Sequence, residues 1–113
     1  MVRLLQVMLR FWHHESCGQC TPCREGMGWM HRIIDRIVAG QGRMEDIDTL
    51  IAISDANDGT TICGMGDAAG YATVGFIAKF RDEFEYFIQN KRSKHGGVLE
   101  VDAPVRAAEV AHA

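Results

Sequence analysis

The residues with the most chemistry in this chain are its four cysteines. Cys17, Cys20 and Cys23 form a C-x2-C-x2-C run, and Cys63 stands alone far downstream. Thiolate sulfur is soft and donates strongly to iron. Three thiolates this close can wrap three corners of one cubane, and Cys63 is the one cysteine left to supply the fourth ligand. The rival metal is zinc, whose structural sites favour two separated pairs. A three-plus-one distribution disfavours zinc but leaves a structural four-cysteine zinc module open. A disulfide framework needs an exporting signal and an oxidising compartment. Met1 to Trp12 is apolar, but Arg3 and Arg10 interrupt it and no small-residue cleavage site follows. It is also too short for a membrane span. A catalytic C-x-x-C pair belongs beside a βαβ pattern, and none is present.

The elements that must position these cysteines read as helices. Leu4, Leu5, Met8, Phe11 and Trp12 recur at helical spacing, which predicts an amphipathic helix to about His14. A cysteine-rich turn follows, punctuated by Gly18 and Pro22. Pro22 suits the first turn of a second helix, where its missing N–H has no partner to lose. That helix buries Met27, Met30, Ile33, Ile34, Ile37 and Val38 and stops at Gly40 and Gly42. A third begins near Glu45 and Asp46, acidic residues that suit a helix N-terminus. It buries Ile47, Leu50, Ile51 and Ile53, and Asn57-Asp58-Gly59 breaks it. A loop from Thr60 to about Gly70 then holds Cys63. The last helix carries Val74, Ile77, Phe80, Phe84, Phe87 and Ile88 on one face. Lys79 with Glu83 and Arg81 with Glu85 form i,i+4 pairs on its other side. The expected fold class is all-α: a small four-helix bundle with a cysteine-rich loop, over residues 1–91. Residues 92–113 are expected to be a flexible tail, with Gly96-Gly97 as a boundary.

The net charge of −3 and the lack of a basic stripe argue against nucleic-acid binding. Gly64-x-Gly66-x-x-Ala69 imitates a dinucleotide fingerprint but lies outside any βαβ unit, so it is read as part of the Cys63 loop. His13 and His14 read as polar residues at a helix end, and His31 as a surface or boundary residue. Arg24, beside Cys23, reads equally as an offset to thiolate charge and as a solvated side chain; Lys79 reads as solvated. Trp12, Trp29 and the Phe80/Phe84/Phe87 stripe read as core. Backbone N–H groups near Ser16, Gly18 and Gly64 are expected to donate to sulfur.

The run His14-Glu15-Ser16-Cys17-Gly18-Gln19-Cys20-Thr21-Pro22-Cys23-Arg24-Glu25-Gly26 resembles the cluster loop of the flavin-binding, NADH-oxidising subunit of respiratory complex I. Thr61-Ile62-Cys63, Gly66-Asp67-Ala68-Ala69 and Phe80-Arg81-Asp82-Glu83-Phe84-Glu85 resemble its later motifs in the same order. The resemblance covers residues 3 to about 90. It implies the C-terminal helical domain of that subunit, one 4Fe–4S cluster on Cys17, Cys20, Cys23 and Cys63, and electron transfer from FMN within an NADH-quinone oxidoreductase. NAD and FMN are implied only for domains N-terminal to this one, so the chain by itself is not expected to oxidise NADH. Implied partners are other subunits of the NADH-oxidising arm, notably a 2Fe–2S subunit and a large iron–sulfur subunit. The implied location is the cytoplasmic face of a bacterial inner membrane, or the matrix side in mitochondria. An equivalent module occurs in NAD-linked hydrogenases and formate dehydrogenases. The sequence departs from the family's pattern at Met65, where leucine is usual, and at Gly70–Val74, where an Ala-Trp-Pro-Val-like stretch is usual. The missing proline leads to the expectation of a less fixed entry into the last helix.

Overall fold

The computed structural model describes residues 1–95. They form four α-helices: α1 (Val2–Glu15), α2 (Thr21–Arg36), α3 (Glu45–Asn57) and α4 (Met65–Asn90). A π-type turn, Ile37–Gln41, ends α2. No strand is present among the described residues, so the all-α bundle expected from the sequence is the architecture found.

The core gathers one face from each helix. Leu5 and Leu9 of α1, Met27, Met30 and Ile34 of α2, Ile47 and Leu50 of α3, and Phe84 of α4 are sealed from solvent. Truncating a leucine of this kind to alanine costs about 2–5 kcal/mol in comparable cores. The buried stripe of α1 is Val2, Leu5 and Leu9, with Trp12 packed against its edge. Leu4 and Phe11, expected inside, are 47% and 58% exposed. The segment is apolar on two sides, so spacing offers two stripes one residue out of phase. Packing selects the one that meets α2. Trp29 is a second departure, half exposed where core was expected. Its neighbours at helical spacing explain this: Arg32 and Arg36 lie on the same outer face.

The start of α3 is also richer than its dipole alone. Asp46 is 1% exposed and lies in the fork of Arg36, whose Nε donates to Oδ2 at 3.1 Å. The Arg43 N–H donates to the same oxygen at 2.8 Å. A buried carboxylate is tolerated when it is paired and its lone pairs are filled, as here.

Helix α4 starts at Met65, well before the expected end of the loop near Gly70. The stretch Gly70–Val74 is therefore helical without its proline. Tyr71 fixes it from outside, its hydroxyl donating to Asp58 Oδ1 at 2.7 Å. Further along, Arg81 pairs with Glu85 as expected, at 3.0 Å, and also with Asp48 of α3. Glu83 does not pair with Lys79; it accepts from the Met1 amino group at 2.7 Å. Of the expected tail, Arg92 to His95 are exposed, and Lys94 reaches Asp82 at 2.8 Å. The Gly96-Gly97 boundary and all that follows lie outside the described residues.

His31 is 7% exposed, not a surface residue. Its Nε2 lies 3.3 Å from Asp35 Oδ2, and its ring lies against that of His13, centroids 5.7 Å apart. Asp35 in turn accepts from Gln6 of α1 at 2.7 Å. Burial lowers the His31 pKa below 6.5; Asp35 opposes this, while His13, Arg10 and Arg32 reinforce it. A base with a depressed folded pKa favours folding when neutral. Its contribution is complete above 6.5 and is lost as pH falls through the lower, folded value. Thermal unfolding followed between about pH 7.5 and 5.5, above the carboxylate range, should show a falling midpoint on acidification. That fall should flatten in His31→Gln. An unchanged slope in the variant would assign the effect to another group.

Candidate metal centre

The four cysteines lie on two chain segments that the helices bring to one end of the bundle. Cys17 and Cys20 occupy the link between α1 and α2, and Cys20 is the residue that caps α2. Pro22 follows inside the first turn as expected, and Cys23 stands one residue later on the buried side. Cys63 precedes Gly64, the cap of α4. Both cysteine segments therefore end at helix N-termini, whose partial positive charge favours anionic sulfur by about 0.3–1 kcal/mol each. The tie between them is direct: the Ile62 N–H donates to Cys20 Sγ at 3.4 Å.

The turn carrying the first three cysteines is locked from within. Gly18 has φ +80, a conformation natural only to glycine. Arg24 reaches back and donates from Nη1 to the Gly18 carbonyl at 2.6 Å. Its Nε donates to Glu25 at 3.1 Å. Neither sequence reading of Arg24 anticipates this: the guanidinium straps the loop. The Ser16 hydroxyl lies 3.2 Å from Cys23 Sγ and receives the Gly18 N–H at 3.4 Å. The Ser16 N–H itself is used at the end of α1, donating to the Trp12 carbonyl. The N–H groups of Ser16 and Gly18 are thus committed elsewhere, and the donor that does meet sulfur lies in the third expected region, around Gly64: the N–H of Ile62. Ile62 lies in the Thr61-Ile62-Cys63 motif, two residues before Gly64, but its reach to Cys20 exists only because two distant segments meet.

All four thiols are free, with Cys23 buried, Cys20 half-buried and Cys17 and Cys63 exposed. Among the described residues no three His, Cys, Asp or Glu side chains are drawn together as a site for one metal ion. The donor set fits an iron–sulfur cluster on chemical grounds: four soft thiols, a backbone N–H already on one of them, and two helix N-termini beside the cysteine segments. His14 is exposed and hydrogen-bonded to Glu15, and His13 packs over Gly28, so neither histidine is turned into a ligand role by its contacts.

The segment after Cys63 corrects the reading of Gly64-x-Gly66-x-x-Ala69 as loop. Only Gly64 is a cap; Gly66 to Ala69 are the opening of α4. Gly66 is buried against Thr61, where an added Cβ would lie 2.8 Å from the Thr61 side chain. Thr61 Oγ1 donates to the Cys63 carbonyl at 2.8 Å. Asp67 Oδ1 accepts the Gly59 N–H at 3.0 Å. The Cys63 loop is thus held at both of its shoulders by the first turns of α4.

Comparison with known proteins finds similarity over most of the chain. Residues 3–87 match the family described as the NADH-ubiquinone oxidoreductase-F iron-sulfur binding region. The chain is 38% identical over 102 residues to the F subunit of NADH-quinone oxidoreductase from Rhodobacter capsulatus, covering 90% of this chain and 24% of that protein. It is 51% identical over 81 residues to the F subunit of the Rickettsia typhi enzyme, covering 72% of this chain and 19% of that protein. It is 48% identical over 85 residues to the mitochondrial NADH dehydrogenase [ubiquinone] flavoprotein 1 of Dictyostelium discoideum, covering 75% and 18%. The chain therefore spans about a quarter or less of the length of these relatives. No helix among the described residues is long and apolar enough to cross a membrane.

The close approach at Gly66 gives a paired prediction. Gly66→Ala should destabilise the fold by about 1–3 kcal/mol, the usual range for overpacking a filled site. Gly75→Ala, on the same helix with nothing within 4 Å of the new methyl group, should stabilise it by about 0.5–1 kcal/mol. Chemical denaturation of the two variants checks both signs; equal effects would mean that the Thr61 contact does not constrain the loop.

Proposed function

Because the chain belongs to the family of NADH-ubiquinone oxidoreductase-F iron-sulfur binding regions, we propose that it is a one-electron relay holding a single 4Fe–4S cluster. The ligands in this reading are Cys17, Cys20, Cys23 and Cys63, and residues 1–91 are the functional unit. The observation that carries it is the Ile62 N–H donating to Cys20 Sγ, which puts the fourth cysteine's loop against the triplet's turn. When bound, the cluster supplies reversible one-electron chemistry. The residues of this chain do the rest. The Arg24 strap and the Gly18 turn keep the triplet's backbone fixed, so that a change of charge meets little rearrangement. The Ile62 N–H and the Ser16 hydroxyl offer hydrogen bonds to thiolate sulfur, which favour the more negative, reduced state. The N-termini of α2 and α4 act in the same direction.

In the longer proteins of this family, the electron donor in this reading is FMN reduced by NADH, held in parts of the polypeptide outside these residues. The acceptors are a 2Fe–2S subunit and a large iron–sulfur subunit of the NADH-oxidising arm. The assembly is peripheral, at the cytoplasmic face of a bacterial membrane or the matrix face in mitochondria. The same module in an NAD-linked hydrogenase or formate dehydrogenase is a second setting for the same chemistry, which neighbouring genes distinguish.

Anaerobic reconstitution of the full chain should yield four iron and four acid-labile sulfide per chain, a prediction from the cubane stoichiometry. A stable, colourless protein loaded only with zinc overturns the cluster reading. Cys63→Ala should lose the intact cluster and its spectrum, and it should lower thermal stability far more in the reconstituted protein than in the metal-free one, because ligation ties distant segments together. An unchanged cluster in that variant would show that Cys63 is not the fourth ligand.

A further inference from the structure

Two buried side-chain nitrogens among the described residues have no hydrogen-bond partner, His13 Nδ1 and Asn57 Nδ2. The second belongs to the cysteine end of the bundle. Asn57 is the last residue of α3 and is 2% exposed. Its backbone carbonyl holds the beginning of the Cys63 loop, accepting from the Thr60 N–H at 3.2 Å and from the Thr60 hydroxyl at 2.9 Å. A buried amide donor left without an acceptor is costly, and a group that completes the site on binding is one way to satisfy it.

The place of that amide is informative. It occupies the space that a side chain at residue 26 would fill: a Cβ built on Gly26 would lie 2.6 Å from Asn57 Oδ1 and 2.8 Å from Nδ2. Residues three apart share a face of a helix, so Gly26 and Cys23 lie on the same side of α2. Helical Cα–Cβ bonds tilt toward the N-terminus, so the space above Gly26 leans toward Cys23. In the thiol form Cys23 donates to Met27 Sδ at 3.8 Å. A ligating thiolate has no proton to give and is an acceptor only.

We propose that Asn57 is a positioning residue for the metal centre: its Nδ2–H group donates a hydrogen bond to the Cys23 thiolate when that sulfur ligates iron, and thereby raises the reduction potential. This rests on the cluster reading above. Asn57 supplies from the end of α3 what Ser16 supplies from the other side, so that the most buried of the four thiolates is hydrogen-bonded by two side chains. The amide dipole is uncharged, which lets it stabilise added negative charge without fixing a counter-ion in the core.

The test uses the full chain, reconstituted with iron and sulfide. Asn57→Leu keeps the side-chain volume and removes the donor. It should bind the same iron and sulfide as the unaltered chain, with a midpoint potential shifted to more negative values. An unshifted potential overturns the proposal. Should the variant fail to fold or to load, a second measurement on the unaltered chain decides. Asparagine labelled with 15N in the side-chain amide alone is incorporated, and the reduced cluster is examined by pulsed electron paramagnetic resonance. The one other asparagine, Asn90, is the last residue of α4, at the opposite end of that helix from its cap beside Cys63. A 15N coupling to the electron spin is expected from Asn57, and its absence overturns the assignment. A chain that takes up zinc and no iron sinks the cluster reading itself, whereas a loaded cluster without the coupling sinks only the role of Asn57.

Discussion

The two cysteine segments can share one site only if α3 returns the chain from the far end of α2 to its beginning. That return is the constraint on which the cysteine end depends. The Arg36–Asp46 pair anchors the outward turn, and the packing of Ile47 and Leu50 keeps α3 alongside α2. Asn57 then ends α3 against Gly26, one helical turn beyond Cys23. From there a short loop suffices to place the Ile62 N–H on Cys20. Loop closure over a long separation is expensive for a flexible chain. Here helical structure and apolar burial help to meet that demand.

The same architecture explains the electrostatics of the site. A cluster on four thiolates carries excess negative charge. Arg24, the basic residue next to Cys23, spends its guanidinium on the Gly18 carbonyl and Glu25 rather than on sulfur. In the cluster reading proposed here, the offset comes instead from oriented dipoles: two helix starts, one backbone N–H and the Ser16 hydroxyl. Dipoles that are fixed in advance need little reorganisation when charge arrives, which is the property an electron relay requires.

Much of this is legible in the sequence. Helix order and most boundaries follow from apolar spacing, glycines and Pro22, and the cysteine run with its flanking residues identifies the family. What the sequence does not show has a common physical cause. The apolar set of α1 spans two stripes, with Leu4 and Phe11 on one and Leu5 and Trp12 on the other, and only a partner surface chooses between them. Helix α4 starts earlier than expected because Gly66 and Gly70 resemble loop residues in isolation. Their lack of side chain instead allows close contact with Thr61 and with the Ser54 carbonyl. The burial of His31 and the reach of the Ile62 N–H to Cys20 escape a sequence reading because both are properties of tertiary contact, not of local pattern.

The four thiols do not share one environment. Cys23 is sealed in the core, Cys20 is half-covered, and Cys17 and Cys63 open to solvent. Any oxidant or chelator arriving from water meets the outer pair first and the root of the site last. A centre held on these four thiols, as proposed, has a grain: a rim through which it can be dismantled, and a keel in α2 that is the last part to let go.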